Sequence, residues 1–212
     1  MISSIARYTY SEKFIFFMPI PSLIALFFII AILGTQIIKR SFLEKNLKKI
    51  FWIPLVAIFS TSVVFSIMQY QAWRQHELMK LTLESEGGLS YFFSFVFFNH
   101  FAHYLLALGF AGILILLMTL INKRSGGRFF EREEIWIAFL AGFLAGFPGF
   151  LFFLAGILIA YLFTHFINAI LRKTVKSGVI PLYYFWLPVS ASVIIISEVW
   201  LAETLFWQLL SV

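Results

Sequence analysis

The sequence predicts an all-α, polytopic membrane protein with about six transmembrane helices. Hydrophobic residues make up 61% of its 212 residues and charged residues only 12%, whereas soluble domains are about half apolar and about a quarter charged. Several apolar runs also approach the roughly 20 residues that a helix needs to cross a bilayer. We therefore interpret residues 1–212 as a single transmembrane domain without a separate soluble domain.

The apolar runs place the six spans at about 19–38, 50–70, 101–121, 134–147, 150–171 and 180–199. The polar segment 71–90 predicts a short surface helix over 72–84, with Trp73 and Leu78 facing lipid headgroups. The aromatic stretch 91–98 is expected at the membrane interface. Between the fourth and fifth spans, Pro148-Gly149 predicts a sharp turn, in which glycine supplies a positive φ.

The basic residues are distributed unevenly between the connections. Loops 39–49, 122–132 and 172–176 hold five, four and three lysines and arginines, which is twelve of the sixteen in the chain. Because lysine and arginine collect on the cytoplasmic side, these loops are predicted to be cytoplasmic and both termini to lie outside. The net charge of +6 then reflects orientation in a lipid bilayer, and no nucleic-acid partner is expected.

The fourth and fifth predicted spans carry a specific spacing. Gly142, Gly146 and Pro148 lie 8, 12 and 14 residues after Glu134, and Ile180-Pro181 begins 46 residues after it. Over residues 100–195 this layout resembles the prepilin peptidases, also called type IV leader peptidases. In that family a G-x-G-D motif opens a span with two glycines four apart, a helical hairpin follows, and an Ile-Pro enters the last span.

The resemblance implies an intramembrane aspartyl endopeptidase of the bacterial inner (cytoplasmic) membrane, which removes the leader from pilin-like precursors of type IV pili. Two close carboxylates cannot both ionise, so one serves as base and the other as acid. Here the G-x-G-D positions read Glu131-Arg132-Glu133-Glu134, and the chain contains no aspartate. Arg128 stands where the family often has an arginine.

Two readings of these glutamates follow. If the chain is an active endopeptidase, Glu134 and Glu44 are the catalytic pair, because Asn46, near the position of the family's first aspartate, cannot exchange a proton. Otherwise the glutamates only begin a helix, where negative charge suits the helix dipole. The second reading favours a catalytically degenerate protein that binds transmembrane or pilin-like segments. For either one we expect spans three to six to surround a cytoplasm-facing cavity.

The histidines suggest no cofactor and no metal site. His100 and His103 lie three apart on one helix face, but no third ligand is evident, which favours an interfacial, hydrogen-bonding role. His165 and Asn168 are expected to hydrogen bond to another helix. With no cysteine in the chain, disulfides, thiolate zinc sites and a cysteine nucleophile are excluded.

Two further classes remain open. Glu133-Glu134 with Tyr161 and His165 is also similar to the CAAX-processing-like proteases, although the arginine expected after the glutamate pair is missing. A transporter-like or purely structural membrane subunit would need no catalytic residue at all.

Overall fold

The computed structural model describes residues 20–127, 129–170 and 182–198, apart from the side chains at 40, 41, 44, 48, 168, 169 and 182. Within these residues the chain is helical and contains no β-strand. The prediction of an all-α fold is confirmed. The expectations for Arg128, loop 172–176 and Ile180-Pro181 fall outside the described residues.

The chain forms eight α-helices within these ranges: α1 (Ile20–Ile38), α2 (Arg40–Gln75), α3 (Glu77–Glu84), α4 (Gly88–Val96), α5 (Ala102–Arg124), α6 (Arg132–Leu144), α7 (Gly149–Ile170) and α8 (Trp186–Ile196). A π-helical turn, Phe97–Phe101, joins α4 to α5 without a break, and a 3-10 turn, Leu182–Tyr184, precedes α8.

Four helical stretches are long and apolar enough to cross a membrane: Ile20–Ile38, Lys45–Gln75, Gly88–Arg124 and Gly149–Ile167. Helices α6 and α8 have 13 and 11 residues. At about 1.5 Å per residue they are roughly 20 and 17 Å long, shorter than the ~30 Å hydrocarbon core of a bilayer. The count of six spans is thus not confirmed and stays a prediction.

Helix α2 differs from its predicted boundaries at both ends. Residues 40–49 of the predicted basic loop already belong to the helix, so Pro54 lies inside it. At the other end α2 continues to Gln75, so only Glu77–Glu84 forms a separate short helix. The polar residues at the two ends of α2 increase its exposure to solvent, but they do not end the helix.

The expected surface position of Trp73 is wrong. Trp73 is only 6% exposed, and its ring packs against Phe92 and Phe95 at 5.2 and 5.1 Å. Stretch 91–98 forms one helical run with α5, and its expected position at the membrane interface stays a prediction. Contact between these aromatic rings buries them and holds the end of α2 against α4.

Helix α6 occupies the centre of the bundle. Nine of its 13 residues are buried, because they are apolar or small around most of its circumference. Phe51 of α2 stacks on Phe139 at 4.6 Å, and Ser190 of α8 donates a hydrogen bond to the Ala141 carbonyl at 2.8 Å. Farther along, Phe59 of α2 stacks on Phe143, and Trp186 of α8 hydrogen bonds to Glu134 near the start of α6. Because the contacts follow the same order along each pair of helices, α6 runs parallel to both α2 and α8.

The turn between α6 and α7 differs in detail from the predicted one. The positive φ belongs to Gly146, at +66°, whereas Gly149 is already the first residue of α7. The Phe147–Pro148 peptide bond is cis. The turn is attached to α5 on both sides of Phe147, whose N–H donates to the His103 carbonyl at 3.2 Å and whose carbonyl accepts from His103 Nδ1 at 3.1 Å.

The bundle has two distinct ends. We call the end where α1 and α5 finish and α2 and α6 begin the basic end, because Lys39, Lys123 and Arg124 lie there. We call the other the cavity end, where α1 and α7 begin and α6 and α8 finish. This division decides where each candidate residue lies.

Candidate functional site

Glu134 is held inside the bundle at the basic end. It lies in the first turn of α6, and only 4% of it is exposed. Its Oε1 accepts a hydrogen bond from the indole Nε1–H of Trp186, the first residue of α8, at 3.2 Å. Trp186 is itself buried. The carboxylate thus joins the starts of two parallel helices, 52 residues apart in the chain.

The neighbouring charged residues face other directions. Glu131 and Arg132 are exposed and Glu133 is half-buried. Successive residues of an α-helix point about 100° apart, so the three glutamates are not crowded into one site. Glu133 and Glu134 both lie in the first helical turn, as expected for acidic residues at the positive end of a helix dipole.

Glu44, the other member of the proposed pair, belongs to the second turn of α2, and its side chain lies outside the described residues. The structure therefore places both glutamates in helices that meet at the basic end. The pairing of their carboxylates stays a prediction. Asn46 donates from Nδ2 to the Phe42 carbonyl at 3.0 Å, which is a contact within its own helix.

A cavity of about 310 Å³, lined by both polar and apolar residues, lies at the cavity end, and a more open pocket lies along α1 at the basic end beside Gly34, Thr35 and Lys39. The cytoplasm-facing cavity among spans three to six stays a prediction. At the basic end, large rings such as Phe51 and Trp136 pack beside the buried part of α6. At the other end α6 finishes at Leu144, while α2 and α4 continue past it. The polar side chains that line the resulting space include Ser22, Ser62, Asn99, His100, His103 and Glu198.

Two π-helical turns contribute to this cavity. Phe97–Phe101 supplies Asn99 and His100, and a π-helical turn after α8 supplies Ser197 and Glu198. Such turns are frequent at functional sites because they shift side chains out of the regular helical register. His100 Nε2 is buried and has no hydrogen-bond partner among the described residues.

Glu198 is joined to the opposite side of the cavity by Ser22, whose hydroxyl donates to Glu198 Oε1 at 2.6 Å. This bond connects the first turn of α1 to the end of α8. The sequence analysis gave Glu198 no role. A carboxylate at the end of a long apolar run is a signal that would have found it, since ionisable groups at membrane depth are most often functional.

The remaining candidates are not brought together. His165 lies on the exposed face of α7, and its ring contacts Tyr161 of the same helix at 4.3 Å rather than the buried Glu134. The expected hydrogen bond from His165 to another helix is therefore not found among the described residues. The side chain of Asn168 is not among the described side chains. Across the described ranges, no three histidine or glutamate side chains are grouped to hold a metal ion.

Comparison of this chain with protein-family models, with curated proteins and with solved structures finds no match. The assignment of a role rests on the chain's own residues.

Proposed function

We propose that this protein is a non-catalytic integral membrane protein related to the prepilin peptidases, which binds a transmembrane segment of a partner. One observation supports the loss of catalysis above the others. Glu134, at the position of the family's motif aspartate, is 4% exposed and accepts a hydrogen bond from Trp186. A general acid or base must reach the substrate or a water molecule, and a buried, bonded carboxylate is better suited to holding two helices together.

The proposal includes an orientation in the bacterial inner membrane. The basic end faces the cytoplasm, since it carries most of the lysines and arginines. Helices α6 and α8 then complete six crossings, and their short length is compensated by the protein that surrounds them.

Two observations support a transmembrane segment as the partner: the resemblance to the prepilin peptidases and the apolar exterior of the bundle. Helix α7 exposes large apolar side chains along its length, including Leu158, Ile159, Leu162, Phe163 and Phe166. Such a surface contacts lipid or the apolar helix of another protein. A pilin-like precursor, with its single N-terminal apolar helix, is the partner that the resemblance implies.

Catalysis is tested by incubating the purified protein in detergent with a pilin-type precursor, beside an active prepilin peptidase with both aspartates. We expect no cleavage by the wild type or by Glu134→Gln. Cleavage by the wild type that is abolished in Glu134→Gln would establish an active glutamate pair instead.

Binding is tested separately in lipid nanodiscs. A photoreactive residue at Leu162 is expected to crosslink a pilin-type transmembrane peptide more strongly than a single-span peptide of scrambled sequence. Equal crosslinking of the two peptides would contradict specific binding and favour a structural subunit.

One observation keeps an active endopeptidase as the second candidate. The helices of Glu44 and Glu134 pack together at the basic end through Phe51 and Phe139. The cleavage assay decides between the two proposals.

A further inference from the structure

The cavity at the cavity end contains more hydrogen-bond acceptors than donors. We infer that this cavity binds a small ammonium ligand, such as the ammonium ion or a short primary alkylammonium, with Glu198 as its counter-ion. The inference concerns residues at the opposite end of the bundle from Glu134 and is independent of the proposed function.

The serine hydroxyls have already used their protons within the protein. Ser22 donates to Glu198 Oε1 at 2.6 Å, and Ser197 donates to the Ile194 carbonyl at 2.9 Å. The hydroxyl of Ser62 is directed at the carbonyls of Ile58 and His100, at 3.1 and 3.0 Å. Each serine oxygen keeps lone pairs and can only accept a further hydrogen bond.

The imidazoles add to this excess of acceptors. A carbonyl oxygen accepts and never donates, so the contact with the Phe147 carbonyl places the proton of a neutral His103 on Nδ1. Its Nε2 is then an acceptor. His100 Nε2 is buried without a partner among the described residues, and it can accept a hydrogen bond from a ligand or a water molecule when Nδ1 carries the proton.

The charge of the residues around the cavity also favours the binding of a cation. Among the lining residues within 20–127, 129–170 and 182–198, Glu198 is the only carboxylate and there is no lysine or arginine. Removing an unpaired carboxylate from water is costly, so a cation that enters the cavity gains both charge pairing and hydrogen bonds. The hydroxyl of Tyr104 hydrogen bonds to that of Ser22, and the amide of Asn99 donates one of its two N–H groups to the Phe95 carbonyl. Among the described lining groups, acceptors therefore still outnumber donors.

The geometry favours an ammonium group over an alkali cation. An ammonium nitrogen carries three or four directional N–H donors, which match acceptors arriving from α1, α2, α5 and the end of α8. The ring of Phe65, which stacks on His100 at 6.2 Å, adds an aromatic face on the same side. The volume of about 310 Å³ admits a short alkyl chain together with water.

The test uses the full chain in nanodiscs at constant sodium concentration, with radiolabelled methylammonium as the probe. We expect saturable binding of one methylammonium per chain. Glu198→Gln should weaken the affinity at least tenfold, while Glu84→Gln, an exposed glutamate of α3, should leave it unchanged. Tetramethylammonium has the same charge but no N–H donor and should compete at least tenfold less well.

A second measurement needs no variant. A hydrophobic carbodiimide should modify Glu198 of the wild type, as mapped by mass spectrometry, and methylammonium should slow this reaction at least threefold while tetramethylammonium does not. Absence of saturable binding, unchanged affinity in a folded Glu198→Gln, equal competition by tetramethylammonium, or no protection of Glu198 would each overturn the inference.

Discussion

Glu134 and Glu198 each form a hydrogen bond to another helix, and they differ in what surrounds them. Glu134 accepts from the Trp186 indole N–H and from the backbone N–H of Glu131 inside a packed core, whereas Glu198 borders a cavity rich in other acceptors. The first arrangement stabilises the fold, and the second leaves capacity to bind a ligand.

We expect the Glu134–Trp186 bond to contribute to stability through its geometry and not through the charge of the carboxylate. Glu134→Gln keeps an acceptor for Trp186 Nε1–H and should change the free energy of unfolding by less than about 1 kcal/mol, whereas Glu134→Leu leaves that donor buried and unsatisfied and should cost about 1–3 kcal/mol. Thermal unfolding in detergent measures both.

The matched control is Trp186→Phe, which removes the donor. In that background the difference between Glu134→Gln and Glu134→Leu should shrink, because no indole N–H is left unsatisfied. A difference of undiminished size would show that the indole N–H is not the partner through which Glu134 contributes to stability.

At the residue scale the sequence predicted that Glu134 begins a helix, and the structure agrees. It did not predict which way the side chain points. Trp186 lies 52 residues away, and periodicity within one helix carries no information about which residue of another helix packs against it.

At the scale of the elements, α7 and α8 approach closely at one glycine. A Cβ on Gly156 would lie 2.8 Å from Val189 Cγ1, whereas a Cβ on Gly109 of α5 would meet nothing within 4 Å. The absence of a side chain at Gly156 therefore sets the distance between these two helices.

Gly156→Ala is expected to destabilise the bundle by about 1–3 kcal/mol, the usual cost of overpacking, and Val189→Ala should restore most of this loss by making room. Gly109→Ala should be neutral or slightly stabilising, because alanine has the higher helix propensity. Midpoints of thermal unfolding for the four proteins provide the measurement. If Val189→Ala fails to rescue Gly156→Ala, the contact is not the cause.

The connection between α5 and α6 depends on one side chain. Asn122 donates from Nδ2 to the Phe130 carbonyl at 2.8 Å, and its Oδ1 accepts from the N–H groups of Phe129 and Phe130 at 3.3 and 3.2 Å. Asparagine can form these bonds together because its amide group both donates and accepts.

Asn122→Ala should therefore loosen residues 125–131 and cost about 1–2 kcal/mol, while Asn122→Asp, which keeps only the acceptors, should fall between alanine and the wild type. Hydrogen exchange of the Phe129 and Phe130 amides reports the local effect. Unchanged exchange in Asn122→Ala would contradict this role.

Helix lengths were harder to predict than helix positions. The span predicted at about 19–38 agrees with α1, Ile20–Ile38, because hydropathy marks the part of a helix that crosses lipid. It could not show that α2 extends ten residues before its apolar core, since a polar helical turn and a polar loop have similar composition.

At the scale of the whole molecule, the two ends of the bundle should lie on opposite sides of the membrane. Because the chain contains no cysteine, single substitutions report position without background labelling. In right-side-out vesicles an impermeant maleimide should label Ser85→Cys, between α3 and α4, and should label Ser125→Cys, after α5, only once the vesicles are opened. Labelling of both in sealed vesicles would contradict a crossing by 88–124.

The location of the cavity could not be predicted from the sequence, because it depends on the packing of the whole bundle. It forms where α6 finishes while α2 and α4 continue, and its polar groups come from residues as distant as Ser22 and Glu198. Spacing within one segment predicted the hairpin of α6 and α7, but relative helix ends depend on the packing of all the helices.

The unequal helix lengths also affect the outline of the particle. Helix α7, with 22 residues, is about 33 Å long and matches a bilayer, whereas Gly88–Arg124, with 37 residues, is about 55 Å long. Tilts of up to 40° cannot hide the excess within ~30 Å of hydrocarbon. The end of α2 and the start of α4, joined by Trp73 and Phe92, should therefore project as a stalk from one leaflet. Such a stalk would give electron-microscopy images of nanodiscs an asymmetric landmark for alignment.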